Sequence, residues 1–222
     1  MRVCIVGNGP SAEGKGREID ACDFVVRMKA YWAHGAADAG TKTNAVAWFG
    51  YHGAWQGTAH IGLCSGVPLT VEHWMTHSPF QLIRASVTGR KRMAFFIQQA
   101  GMSPVRWLPH LLWRPMFRHL DERDPSTGFV TVGMAIHLFP ECDLVLYGFD
   151  STHPELPNYC DARCNVIDPV HNMLLEKKAI LELANGQWLG RPTACSLTWP
   201  DQPDIAAADT YVAEKSCDEP TQ

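Results

Sequence analysis

Apolar residues gather in four short runs, Val3–Val6, Phe24–Met28, Ala45–Phe49 and Leu144–Phe149, separated by polar or glycine-rich stretches. Runs of this length without polar alternation predict strands buried on both faces, as in a parallel sheet. Met93–Ile97 reads as either strand or helix. Helical spacing appears in three places: a Trp/Leu/Arg-rich stretch from about Pro104 to Leu120, Ser126 to Leu138 ahead of Pro140, and Pro169 to about Ala184. The third has end signals as well, with Asp168 at the N-cap, Pro169 in the first turn and Gly186 just past the end. Strands interleaved with helices predict an α/β fold: a single Rossmann-like domain, over residues 1–198, with a mostly parallel sheet flanked by helices. Residues 199–222 are acidic, proline-containing and weakly patterned, and read as a mobile or loosely docked tail.

The first run leads into Gly7, Gly9 and Ala12 at G-x-G-x-x-A spacing, the signature of a dinucleotide-binding turn. That turn needs a long helix behind it and a second strand ending in Asp or Glu. Here the stretch before Phe24 contains Gly14 and Gly16, each costing about 1 kcal/mol in a helix. Only Arg17 to Cys22 is left for a short helix, and the second strand ends in Arg27-Met28-Lys29. Nicotinamide binding is rejected. Two readings remain for the turn. The backbone N–H groups of Gly9 to Ser11 with the Asn8 amide could hold a phosphate or a ribose, or the segment is a plain tight turn.

Bulk properties narrow the classes. At 222 residues with net charge −4, the chain suits one α/β domain and offers no broad basic surface for nucleic acid. Arg90-Lys91-Arg92 reads as solvated loop. No apolar run approaches the ~20 residues of a membrane span, and no signal peptide precedes the first strand, so a cytoplasmic chain is expected. Its eight cysteines are then expected as thiols. Cys160 and Cys164 lack a second pair at metal-ligand spacing, so no metal site is expected.

Four segments together resemble the sialyltransferases of glycosyltransferase family 29. GNGPSAEGKGREIDACDFVVRMKA resembles the family's large sialylmotif, and DAGTKTN at 38–44 its continuation. PSTGFVTVGMAIHLFPECDLVLYGFD at 125–150 resembles the small sialylmotif, and His171 to Glu176 the H-x4-E element. The resemblance implies a GT-A-like fold variant and an inverting, metal-independent glycosyltransferase. Such an enzyme moves a 2-keto acid sugar, sialic acid or Kdo, from its CMP donor to a hydroxyl of a glycan or glycolipid, without a cofactor. It would serve the building of a surface polysaccharide or lipid-linked glycan, and a peripheral membrane contact is compatible with this.

Carried over by position, Asn8, Gly9, Pro10 and Ser11 lie against the nucleotide, as do Ser126, Thr127 and Gly128 at a helix start. Helix capping is the competing role for Ser126 and Thr127. Tyr147 and Gly148 are candidates for the nucleotide wall, with a core tyrosine as the competing reading. His171 becomes the general base, in the first turn of its helix by the sequence reading. Glu176 falls about 140° round from it and supports the fold or a neighbouring loop.

Departures from the family pattern are informative. Lys29 stands where the family has Asn, and Asn158 where a phosphate-binding His is usual. Cys4 and Cys142 are each one residue away from the family's bridging cysteines, which puts that disulfide in doubt. Two other readings stay open: a nucleotide-binding protein of this fold without catalysis, or a phosphate- or pterin-transferring enzyme with a similar G-N-G-P-S turn.

Overall fold

The computed structural model describes residues 1–28, 37–48, 71–76, 105–149 and 172–200. Its centre is a seven-stranded sheet. In chain order the strands are β1 Arg2–Val6, β2 Phe24–Met28, β3 Ala45–Trp48, β4 Glu72–Met75, β5 Val105–Trp107, β6 Asp143–Tyr147 and, after a small hairpin, β9 Ser196–Thr198. The hairpin pairs β7 Gln187–Trp188 with β8 Arg191–Pro192. The sheet order is β5-β4-β3-β2-β1-β6-β9, and every adjacent pair is parallel. The helices are α1 Gly16–Asp20, α2 His110–His119, α3 Thr127–Leu138 and α4 Met173–Glu182, with 3-10 turns at Pro10–Ala12, Ala37–Ala39 and Leu183–Asn185.

Strand period explains the layering. Val3 and Ile5, Val26 and Met28, and Leu144 and Leu146 point to one face, where α2, α3 and α4 supply Met116, Phe129, Val132 and Ile180. Cys4, Val6, Val25, Val145 and Tyr147 point to the other, covered by Ala12, Ile19, Cys22 and Ala39. Register keeps like with like: Val3 pairs with Leu144 and Ile5 with Leu146, while Val6 pairs with Tyr147. Both faces are buried, which is why the runs are continuously apolar.

Trp74 is fully buried and stacks on Phe24 at 5.9 Å. Its indole N–H donates to Glu72 Oε2 at 3.0 Å, so the large ring is buried without an orphaned donor. Glu72 also takes a two-pronged pair from Arg106, at 2.6 and 2.8 Å, which knits β4 to the edge strand β5.

Two helix boundaries differ from the sequence reading. The segment expected to be helical from about Pro104 opens instead as β5, paired with β4, and the helix starts only at His110. Pro109 is the reason: its extended ψ of 133° and missing N–H suit an N-cap and exclude a helix interior. Pro115 does lie inside α2, opposite the carbonyl of Leu111, a residue 84% exposed, where water can satisfy that group. The last helix begins at Met173, with Asn172 and not Asp168 as N-cap, because the Asn172 side chain accepts from Leu175 N at 3.2 Å. Its end is as read: Gly186, at φ +69°, follows the closing 3-10 turn.

The apolar pattern of the sequence does not mark β4, β5, β9 or the small hairpin. Each is short, and β5 and β9 lie at the sheet's edges, where one-sided burial blurs the apolar run. Trp199, placed at the head of the acidic tail, is 8% exposed and packs edge-on against Phe149 at 6.2 Å.

Candidate functional site

Strand order reverses between β1 and β6: β2 to β5 lie on one side of β1, and β6 and β9 on the other. In an open parallel sheet the crevice outside the carboxyl ends of the strands at such a reversal is where ligands bind. Asn8 to Ser11 follow β1 at this end, and Gly148 follows β6.

The two strand ends are stitched together beyond the strands themselves. Gly7 N–H donates to Tyr147 O at 2.7 Å and Gly9 N–H to Gly148 O at 2.9 Å. Gly148 N–H in turn donates to Ser11 Oγ at 3.0 Å. A Cβ on Gly7 would fall on the Gly148 carbonyl oxygen, and Gly148 has φ +71°. These glycines are therefore required by close backbone approach. The anion cradle expected from the N–H groups of Gly9 to Ser11 is correspondingly narrower. Gly9 donates to Gly148, and Pro10 has no N–H. The half-buried Asn8 and Ser11 sit at the turn itself.

α3 brings the second group of candidates to the same end of the sheet. A Cβ on Gly128 would stand 3.1 Å from the Phe149 ring and 3.6 Å from Met28 Sδ, and one on Gly7 would stand 3.0 Å from Met28 Cε. Met28, the last residue of β2, thus lies between the β1 turn and the start of α3. Ser126 is the N-cap, accepting from Phe129 N at 3.2 Å. Glu176 of α4 completes the junction: its carboxylate accepts from Ser126 N at 2.6 Å and from Ser126 Oγ at 2.5 Å. A carboxylate only 3% exposed, at the starts of both α3 and α4, is favoured there by the positive ends of the helices. So the Ser126 hydroxyl serves cap and carboxylate, while Thr127 and Gly128 carry the first-turn N–H groups that a helix cannot satisfy internally.

The GREID and DAGTKT segments form a clamp that no single position in the sequence announces. Asp20 accepts from Thr41 N at 3.0 Å and Lys42 N at 2.8 Å, and the Lys42 ammonium donates to Cys22 O. Arg27, fully buried, donates to Ala39 O at 2.8 Å and to Lys42 O at 3.1 Å. Burial pushes the Asp20 carboxyl up, but the Thr41 and Lys42 N–H groups, the Thr41 hydroxyl and Arg27 outweigh it and hold the group below its ordinary value. Tyr147 belongs to this side of the sheet. Its ring packs in the α1-side cluster and its hydroxyl donates to Glu18 Oε2 at 2.7 Å. Burial and the Glu18 carboxylate raise its pKa well above that of an ordinary phenol. Sequence reasoning missed Glu18, Asp20 and Arg27 as structural anchors; the one signal was their place within the motif segments.

Lys29, Asn158 and His171 lie outside the described residues. The helix expected to hold His171 in its first turn starts at Met173, so position 171 precedes the cap. Cys4 and Cys142 lie in clusters on opposite faces of the sheet, so the bridge raised by the resemblance does not span them. Among the described residues no group of three or more His, Cys, Asp or Glu is placed to hold a metal, and no helix is long and apolar enough to cross a membrane.

Residues 1–188 match the model of glycosyltransferase family 29, the sialyltransferases. Among solved structures, a mammalian sialyltransferase aligns at TM-score 0.54 and 21% identity, covering 89% of this chain and 68% of the other. A mammalian sialyltransferase in complex with Gal-beta-1-3GalNAc-ortho-nitrophenol aligns at TM-score 0.52 and 22% identity, with the same coverage. No curated protein sequence matches the chain.

Proposed function

The chain belongs to glycosyltransferase family 29, the sialyltransferases, and we propose that it moves a sialic acid from CMP to a glycan hydroxyl with inversion and without a metal ion. The observation that carries this reading is the convergence of the β1 turn, the β6 turn and the start of α3 around Met28 at the strand-order reversal. A single phosphate leaving with CMP needs only donors and a cation. Asn8 and Ser11 on one side, and the first-turn N–H groups of Thr127 and Gly128 on the other, supply the donors. Lys29, next after Met28 in the chain, supplies the cation as a point charge in place of a metal, and Asn158 contributes to the donor site. The arrangement is read as a variant of the GT-A fold.

His171 takes the proton of the acceptor hydroxyl as that oxygen attacks the anomeric carbon and CMP departs. To act as the base, the imidazole must be neutral when it meets the acceptor hydroxyl. His171→Ala should lower transfer by about 10² to 10⁴-fold while leaving the CMP-induced rise in melting temperature intact. Transfer at the wild-type rate would return His171 to a structural role, with Asp150, His153 and Asp161 next in line.

The direct test is release of CMP from CMP-sialic acid, with CMP-Kdo as the alternative 2-keto acid donor, each with and without EDTA. Galβ1-3GalNAc, the disaccharide held by one structural neighbour, is the first acceptor to offer. Activity abolished by EDTA and restored by a divalent ion refutes metal independence. A CMP thermal shift with no turnover on any donor identifies a binding protein without catalysis.

A further inference from the structure

We propose that Cys142 and Cys195 are a disulfide-forming pair that staples the edge strand β9 to β6. Their sulfurs stand 3.6 Å apart, and both side chains are buried, 2% and 3% exposed, in the same core cluster. The backbone is already placed for a bridge. Each cysteine immediately precedes its strand, Asp143 is in register with Ser196, and Ser196 N–H donates to Cys142 O at 3.0 Å. Neighbouring strands run about 4.8 Å apart, inside the range of Cα separations that disulfides span. Side-chain rotation brings the sulfurs to bonding distance without moving a strand. Cys4, on the opposite face, is excluded as a partner for either.

The reaction is thiol–disulfide exchange with a small-molecule disulfide such as oxidised glutathione. One cysteine thiolate attacks it and releases one thiol; the second cysteine displaces the other. Two cysteine thiols are oxidised to one cystine, and the disulfide is reduced to two thiols. Burial and the neighbouring Cys195 push the Cys142 thiol up to about 12, so little thiolate exists once the core has closed. The bond therefore forms while the chain folds. It closes a loop of 53 residues that contains 150–171 and α4, and it anchors Trp199 on Phe149 beside the Gly148 turn.

The full chain is refolded from denaturant in glutathione buffer rich in the disulfide form, alkylated, and cut with trypsin and an aspartate-specific protease that separates Cys142 from Cys160. A Cys142–Cys195 cross-linked peptide, lighter than the two thiol peptides by two hydrogens, should be the major form. Reducing it should lower the melting temperature by about 5 to 15 °C. Cys195→Ser should lose that difference, and if the variant does not fold the mapping on the wild-type chain decides alone. Alkylation of both thiols as the main outcome, or joining of Cys142 to any other cysteine, overturns the proposal.

Discussion

The stretch from Gly7 to Asn44 and the stretch from Pro125 to Phe149 both carry motif residues, and they put them to different uses. In the first, three charged side chains tie the scaffold together: Asp20 holds the backbone of Thr41 and Lys42, Arg27 holds the carbonyls of Ala39 and Lys42, and Glu18 takes the Tyr147 hydroxyl. In the second, a buried carboxylate from a distant helix, Glu176, holds the cap residue Ser126, and the following first turn opens on the strand ends. Motif identity alone does not separate scaffold from site. What separates them is where the polar atoms find partners: a carboxylate facing backbone N–H groups is already satisfied, whereas the first turn of a helix is not.

Breaking the contact between the two stretches should have the largest effect. Gly7→Ala puts a methyl onto the Gly148 carbonyl, and a loss of about 3 kcal/mol or more is expected, read from chemical denaturation. A variant of near wild-type stability would mean that the two strand ends can separate, and that the crevice is wider than the stitched ends allow.

Glu176→Ala comes next. It removes the acceptor from a half-buried N–H and a hydroxyl, at an expected cost of about 2 to 3 kcal/mol. Because it loosens the start of α3, it should also shrink the CMP-induced melting shift. An unchanged shift would assign Glu176 to the scaffold, like Asp20.

Asp20→Ala should cost about 1 to 2 kcal/mol, with its own pH signature. The folded-state pKa is depressed, so the stabilisation is complete above the unfolded value near ~3.9 and is lost as pH falls through the folded one. Wild type and variant should therefore converge in stability on acidification. A difference that persists to low pH would show that the clamp works without the charge. Tyr147→Phe is the mildest change, about 0.5 to 1.5 kcal/mol for one hydrogen bond, with CMP binding unaffected. Loss of the CMP shift in this variant would put the ring on the nucleotide and redraw the boundary between the two stretches.

Much of the fold was legible in the sequence because it is local or periodic. The apolar runs at Val3, Phe24, Ala45 and Leu144 became β1, β2, β3 and β6 within a residue or two, and Ser126 to Leu138 became α3 with its cap. The short glycine-broken segment after the turn also read correctly as too short for a dinucleotide helix, and α1 spans only Gly16–Asp20. The start of α4 was harder, since Asp168 and Asn172 are both good caps and only the bond to Leu175 N distinguishes them.

By itself, then, the sequence determined the parallel α/β class, the positions of the central strands and the family, because contiguous burial and motif order are written along the chain. Tertiary structure alone decided that Gly7 meets Gly148, that Asp20 holds residues 41 and 42, that Glu176 reaches Ser126, and that Cys142 lies against Cys195 rather than Cys4. The reason is physical. These contacts join residues from 21 to 141 positions apart, and their partners are mostly backbone atoms, which every residue has. Nothing in a side chain's identity names its partner until the sheet order brings the two together.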